Sequence, residues 1–417
     1  MTEFFNRCQK RKELFAENVA LSDIAQRFGT PCYVYSRKAL EENFLAWENA
    51  LAARPHLVCY AVKANSNIAV LNVLARLGAG FDIVSVGELE RVLLAGGDAS
   101  KIVFSGVGKL AYEIERALEV GIHCFNVESE SELHQIQRIA SKRNQRARIS
   151  LRVNPDVDAN THPYISTGLK ENKFGVPITA ALEIYQDAKK MSHIDIVGVD
   201  CHIGSQLTTT APFLDALERV LTLVDQLQAT GITLKHLDLG GGLGVTYTNE
   251  TPPTPGEYIA QVLAKLGKRN LTLMFEPGRS IVANAGVFLT RVQLIKETPH
   301  KNFAIIDGAM NDLIRPALYQ AHQRIEAVAQ REGLADVYDV VGPVCETGDF
   351  LGKDRELVIE AGDLLIVRSS GAYGFAMSSN YNSRGRPPEV MVDGDKSYLV
   401  RSRETFADLV RGESLLP

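Results

Sequence analysis

The chain has 417 residues, 45% hydrophobic and 23% charged, with a net charge of -5 and no long block of like charge. This composition excludes a disordered chain and leaves room for two hydrophobic cores, while the even charge offers no footprint for nucleic acid or an anionic membrane surface. The expected partner is a small molecule. The opening Met1-Thr2-Glu3-Phe4-Phe5-Asn6-Arg7-Cys8 has no apolar leader, and no later stretch reaches the roughly 20 apolar residues of a membrane span, so the expected location is the cytoplasm.

In chain order, short β-rich runs at residues 57–62, 81–85, 102–105, 123–127, 149–153, 196–201, 236–239 and 272–275 alternate with stretches that carry apolar residues at helical spacing. Residues 69–77 are one such stretch, with Gly78 behind it as a stop. Eight βα units predict a closed parallel (β/α)8 barrel. An open doubly wound sheet is the alternative, but it usually has fewer strands and a Gly-x-Gly-x-x-Gly after the first, which is absent here. After about residue 283 the period drops to two, as in residues 288–295, 303–307, 356–368 and 389–401, predicting a second, mostly antiparallel β domain. Within it, residues 311–331 read as a helix in which Arg315 and Tyr319 share a face and Pro316 falls in the first turn. The expected division is 1–36 as an N-terminal segment packing with the β domain, 37–282 as the barrel and 283–417 as the β domain.

The six cysteines are widely spaced and form no Cys-x-x-Cys pair, so they read as reduced thiols, mostly in the core. Cys345 differs, because its setting in Gly342-Pro343-Val344-Cys345-Glu346-Thr347-Gly348-Asp349 is turn-rich and acidic, which suits an exposed and reactive thiol. The nine histidines show no metal-ligand spacing, and no metal site is expected.

In a barrel of this kind, catalytic groups gather where the strands end. The first predicted strand delivers Lys63, the sixth His202 and Ser205, the seventh Gly240-Gly241-Gly242, and the eighth Glu276-Pro277-Gly278-Arg279. Lys63 reads either as a strand-terminal lysine or as an amine whose pKa dry surroundings lower from about 10.4 toward roughly 7 to 8, free to form a Schiff base. The triple glycine is either a tight turn or a set of backbone N–H groups able to approach an anion. His202 reads as a core histidine or as a flat ring to stack on another. Glu276 and Arg279 read as a structural ion pair, or as a carboxylate placed to hold a proton on a heteroaromatic nitrogen with a cation beside it. Taken together, the functional readings describe a ligand with an aldehyde, an aromatic nitrogen and a phosphate, and pyridoxal phosphate meets all three.

On these residues the chain resembles the fold-type III pyridoxal-phosphate decarboxylases and, within them, the diaminopimelate decarboxylases. The motifs are Tyr60-Ala61-Val62-Lys63-Ala64-Asn65, residues 162–175, the His202 segment, the triple glycine, Glu276 to Arg279, residues 312–319, residues 345–349 and Gly371-Ala372-Tyr373-Gly374. They span nearly the whole chain. One departure is Thr347, where serine is commoner; the hydroxyl is kept. The resemblance implies an alanine-racemase-like barrel and β domain, and conversion of meso-2,6-diaminopimelate to L-lysine and CO2. It implies that Lys63 carries the cofactor and that Glu276 keeps the ring cationic, where alanine racemases carry an arginine. Cys345 would protonate the substrate carbon, reaching the site from a partner subunit together with Glu346, so the active site would belong to a homodimer. Tyr373 would touch both cofactor and substrate, and Arg279, Arg315, Tyr319 and Glu346 would bind the substrate's far end. A decarboxylase of another basic or N-carboxylated amino acid, and a non-catalytic regulator that binds the cofactor, are the alternatives.

Overall fold

The computed structural model describes residues 4–157 and 173–417. Most of the motif at residues 162–175 lies outside the described residues. Two compact units account for the chain, one of Met1–Leu40, Tyr247–Asn249 and Ile281–Pro417, the other of Glu41–Thr246 and Glu250–Ser280.

The second of these units is a closed barrel. Its strands are β1 (His56–Ala61), β2 (Gly80–Ile83), β3 (Ile102–Phe104), β4 (Cys124–Val127), β5 (Ala147–Asn154), β6 (Ile194–Asp200), β7 (His236–Asp238) and β8 (Thr272–Phe275). Each pairs in parallel with the next, and β8 returns to β1 with Leu273 opposite His56 and Phe275 opposite Val58. All eight predicted strands are present, and closure rules out the open sheet. Parallel strands buried on both faces must be apolar nearly throughout, which is why these short runs stand out in the sequence. The turns after the strands serve the helices as well: Asn67, Ser85 and Ser129 each accept a backbone N–H at the start of the following helix. Such a cap contributes about 1 kcal/mol.

Inside the barrel, Cys59, Val103, Cys124, Val197 and Met274 from five strands form one apolar layer. Side chains alternate along a strand, so residues two further on project into the next layer toward the strand C-termini. On the outer face, Phe275 packs against Trp47 at 5.5 Å and Tyr258 at 5.8 Å between ring centroids. Burying large aromatics of this kind contributes about 1.5–3 kcal/mol each and fixes β8 immediately before Glu276.

The other unit is built on a mostly antiparallel sheet. Gly286–Lys296 pairs antiparallel with Asn302–Ile306, Leu364–Val367 and Cys32–Ser36. Cys32–Ser36 lies parallel to Glu389–Asp393, which turns at Gly394 into Lys396–Arg401. The predicted helix over residues 311–331 is corrected here. Only Arg315–Tyr319 is helical, Gln320 turns left-handed at φ 50°, and Ile325–Ala327 is a strand on Leu364–Val367. Pairing to a distant strand overrides the local spacing of apolar residues. Likewise residues 356–368 are two strands, Phe350–Leu357 and Leu364–Val367, separated by a turn. Among the described residues, no helix is long and apolar enough to cross a membrane.

Candidate active site

The C-terminal mouth of the barrel carries a buried polar layer above the apolar one. Lys63 sits in the single 3-10 turn Val62–Ala64 that follows β1, and its Nζ donates to Oδ2 of Asp82 near the end of β2. The lysine side chain is 37% exposed and the aspartate fully buried. The amine therefore faces a carboxylate and partial solvent, in place of the dry apolar pocket expected from sequence. An ion pair of this kind restrains the amine beside Asp82.

Glu276 follows β8 directly and is buried. Its Oε1 accepts from Asn126 Nδ2 at 3.0 Å and Ser105 Oγ at 3.4 Å, and its backbone N–H donates to Gly240 O at 2.8 Å. Burial, followed by the like charges of Asp238, Asp82 and Asp200, holds this carboxyl well above the usual carboxylate range, against the pull of Lys63. The influence of Lys63 and Asp82 on Glu276 puts the lysine and the glutamate in one electrostatic cluster. Arg279 donates instead to Ser205 Oγ, at 3.0 Å from Nη2 and 3.3 Å from Nε, so the two hydroxyl-bearing and cationic groups expected at the mouth stand together.

The triple glycine is explained by close approach. A Cβ at Gly240 would stand 2.7 Å from His202 Nδ1, one at Gly241 2.3 Å from the Glu276 carbonyl, and one at Gly242 2.5 Å from the Gly204 carbonyl. Gly240 and Gly242 also have φ of +63° and +106°, which a side chain rarely adopts. The expected amide cradle is narrower than predicted. Gly240 N–H donates to Asp238 Oδ1 at 2.9 Å and Gly241 N–H to His202 Nδ1 at 3.2 Å, whereas Gly242 N–H makes no bond among the described residues. The acceptor role of Nδ1 and the burial that pushes His202 well below its ordinary pKa, with Arg152 and Lys63 adding to it, make the ring a neutral imidazole. Gly278 is needed for the same steric reason: a Cβ there would lie 3.0 Å from Ala64 and 3.1 Å from Ala61. The neighbouring Pro277 carbonyl accepts the Ala61 N–H at 3.2 Å, which ties the β8 loop to β1 just before Lys63.

Several members of this layer escaped the sequence reading. Arg152 in β5 pairs with Glu128 at 2.8 Å and has its Nε 3.8 Å from Asp200, and the Phe174 ring lies under its guanidinium at 5.0 Å. Glu128 in turn accepts the N–H of Gly106 and of Gly175. Asp82, Asn126, Arg152, Asp200 and Asp238 each interrupt an otherwise apolar strand, as in Phe81-Asp82-Ile83 and Leu237-Asp238-Leu239. A polar residue flanked by apolar ones in a buried strand points inward and must find a partner there, and that was the available signal.

The remaining expected residues belong to the other unit. Arg315 opens its short helix, buried, with its guanidinium 4.6 Å from the centroid of the Tyr247 ring, and Tyr319 closes the same helix. Cys345 is exposed, its N–H donating to Asn382 Oδ1 at 2.8 Å. Glu346 Oε1 accepts from the Tyr381 hydroxyl at 2.7 Å. Asp349 shapes this loop by accepting the N–H groups of Met310 and Val344, both at 2.7 Å. Tyr373 has a left-handed backbone, φ +54°, next to Gly371, where a Cβ would collide with the Val282 carbonyl at 1.9 Å.

The barrel's donor set fits pyridoxal phosphate by its chemistry: a primary amine for the aldehyde, a buried acid for the ring nitrogen, a neutral flat imidazole, and Ser205, Arg279 and a spare glycine amide for a phosphate. The sequence matches the family described as "Pyridoxal-dependent decarboxylase, pyridoxal binding domain" over residues 37–283. It is 65% identical over 405 residues to the diaminopimelate decarboxylase of Pseudomonas aeruginosa, covering 97% of this chain and 98% of the relative. It is 61% identical over 416 residues to the diaminopimelate decarboxylase of Vibrio cholerae, covering 100% of both. A solved structure of diaminopimelate decarboxylase from M. jannaschii in complex with L-lysine superposes with a TM-score of 0.95 at 38% identity, covering 100% of this chain and 99% of that one. With a closed barrel, a donor set that suits the coenzyme and relatives matched end to end, the chain belongs to the diaminopimelate decarboxylases, a family of pyridoxal-dependent enzymes.

Proposed function

We propose that the protein converts meso-2,6-diaminopimelate to L-lysine and CO2, in the cytoplasm and as a homodimer. The end-to-end match to relatives that bear this activity in their names carries the reading, and a solved neighbour holding L-lysine accords with the product. When bound, pyridoxal phosphate supplies an electron sink for the pair left on the α-carbon as CO2 departs. Lys63 is the amine that would hold the coenzyme's aldehyde end. Glu276 would hold a proton at the coenzyme's ring nitrogen, and His202 would offer its flat ring to the coenzyme's. Ser205, Gly240, Gly241, Gly242, Pro277, Gly278 and Arg279 form the phosphate end, with Gly242 N–H and the Ser205–Arg279 pair as the donors. Tyr373 contacts coenzyme and substrate.

Specificity rests on the far end of the substrate, which bears a carboxylate and an ammonium. Arg279 and Arg315 supply cations, Tyr319 a hydroxyl and Glu346 an anion. The Tyr247 ring under Arg315 holds the guanidinium plane and contributes about 0.5–2 kcal/mol to its placement. Polar groups left unpaired by a truncated analogue reject it by roughly 10⁴, or about 5.5 kcal/mol. A panel measuring CO2 release should therefore show kcat/KM for meso-diaminopimelate about 10³-fold or more above that for ornithine, arginine or lysine. Comparable turnover of ornithine would assign the protein to a different decarboxylase, and release from none of them would make it a regulator.

The homodimer reading rests on Cys345, whose exposure suits a thiol that completes another subunit's site and returns a proton to the α-carbon. Mixing inactive Lys63→Ala chains with inactive Cys345→Ala chains should restore activity through hybrid dimers, up to about a quarter of wild type when one site in two is intact in half the dimers. Absence of recovery after demonstrated subunit exchange would show that each chain completes its own site.

A further inference from the structure

The floor of the barrel, at the N-terminal ends of its strands, gathers donors that the mouth does not use. Cys124 opens β4 and belongs to the interior apolar layer, and His123 stands just before it. His236 opens β7, with Gly198 of β6 opposite it. A Cβ at Gly198 would lie 2.0 Å from His236 Nε2, so only glycine there leaves room for the imidazole to lie across β6. The His123 and His236 rings come to 5.3 Å between centroids. One ring nitrogen of each and Cys124 Sγ all lie within 4.8 Å of one another. Closure of the barrel joins residues far apart in the chain, which is why their spacing carries no metal signature. His123 Nδ1 is 3.2 Å from the Ser100 carbonyl, which can only accept, so Nδ1 carries the proton and Nε2 keeps its lone pair. A backbone carbonyl on the far nitrogen is the usual orienting partner of a metal-binding imidazole. His236 is buried, and its Nε2 has no hydrogen-bond partner among the described residues.

We propose that His123, Cys124 and His236 bind one divalent ion of the zinc class, which ties β4 to β7 across the barrel floor with water in the fourth position. Two imidazoles and a thiolate suit zinc and exclude magnesium or calcium, which take oxygen donors. Tetrahedral zinc sets such donors about 3.3–3.6 Å apart, so binding closes the cluster by at most about 1 Å. Burial pushes His236 down to about 3, with His123 and Lys235 adding to it, and lowers His123 with Arg148 adding to it, so both rings are neutral ligands at pH 7. Cys124 binds as its thiolate: the Zn–S bond forms as the thiol's proton passes to solvent beside the half-buried His123. The nearby cations are engaged elsewhere. Arg148 Nη2 donates to the Ile122 carbonyl at 2.5 Å, and Lys235 Nζ stands 3.9 Å from Asp195. Asp238 and Asp200, in the layer above, set negative charge against Cys124. Because β4 and β7 are not neighbours in the sheet, the ion is a cross-barrel staple, at the end away from the mouth and independent of the chemistry proposed there.

The test uses the coenzyme-loaded full chain, free of any affinity tag, incubated with zinc chloride and then desalted. Elemental analysis should find one zinc per chain. Zinc-edge X-ray absorption should show one sulfur at about 2.3 Å and nitrogen or oxygen neighbours at about 2.0 Å. Cys124→Ser and His236→Gln should each weaken binding by about 100-fold or more. If either fails to fold, His123→Gln, at the half-buried position, should still weaken binding by about 10-fold or more. Cys345→Ala should bind zinc as wild type does, which separates the floor from the exposed thiol. The melting temperature should rise with added zinc in wild type and in Cys345→Ala, and stay constant in Cys124→Ser. Zinc that is lost on desalting, an absorption spectrum without sulfur, or full binding in both Cys124→Ser and His123→Gln would overturn the site and leave the two histidines as packing. None of these measurements involves substrate, so a failure here is distinct from a failure of the proposed decarboxylation.

Discussion

Replacing Lys63 with alanine is expected to remove both the near-visible absorbance of the purified protein and its decarboxylase activity, the latter by on the order of 10³-fold or more. The physical reason is that no neighbouring group can substitute. Asp82, the partner that orients the Lys63 amine, is an acceptor, and the other mouth cation that pairs with acids, Arg152, is a guanidinium already bound to Glu128. A guanidinium stays protonated at all accessible pH and is a poor nucleophile. Lys63→Arg is therefore the informative control: it keeps a cation beside Asp82 and should preserve folding, yet it should be equally unable to attach the coenzyme. Borohydride reduction followed by peptide mass analysis reads the outcome directly. Wild type should gain the coenzyme's mass on the peptide containing Lys63, and neither variant should. A coenzyme-sized adduct on another lysine, or an unaltered absorbance in Lys63→Ala, would remove Lys63 as the anchor.

The barrel was legible because its signals are local. Each buried parallel strand is a short apolar run, and stretches with helical spacing lie between these runs, so eight repeats could be counted along the chain. The β domain was less so. Cys32–Ser36 has apolar residues like any strand, but its partners are Gly286–Lys296 and Glu389–Asp393, more than 250 positions away, and no local period encodes that pairing. Residues 311–331 failed for the same reason. Arg315 and Tyr319 have helical spacing, but the helix stops where Gln320 takes a left-handed backbone and the chain then extends onto Leu364–Val367.

At the site, residues that follow strands were visible and residues inside strands were not. Lys63, His202, the glycines and Glu276 come just after an apolar run, where a change of character draws attention. Asp82, Asp200 and Asp238 lie within such runs, where a single acid looks like noise until closure of the barrel shows that all three point at one axis. The triple glycine shows the opposite limit. Its presence suggested an anion cradle, but two of its three amides serve Asp238 and His202, and its main demand is room for the His202 ring and the Glu276 and Gly204 carbonyls.

The second large effect is expected for Glu276→Gln, with a loss of about 100-fold or more in kcat and little change in KM. The hydrogen bonds fix how a glutamine would sit. Asn126 Nδ2 and Ser105 Oγ both donate to Oε1, so the amide oxygen takes that position and the amide nitrogen takes the other. An N–H₂ then points where an acceptor is required, and a protonated ring nitrogen opposite it loses its counter-charge. The electron sink weakens in the transition state while contacts to the substrate's far end are untouched, which is why kcat falls and KM does not. Folding should not suffer. Burial and the charges of Asp238, Asp82 and Asp200 hold the Glu276 carboxyl above its ordinary range, so this group loses its stabilising proton as pH rises, and a neutral glutamine escapes that loss. The variant's melting temperature should match wild type near pH 5 and exceed it near pH 8. A well-folded variant that retains the coenzyme and turns over within a few fold of wild type would show that the ring nitrogen needs no anion in this barrel.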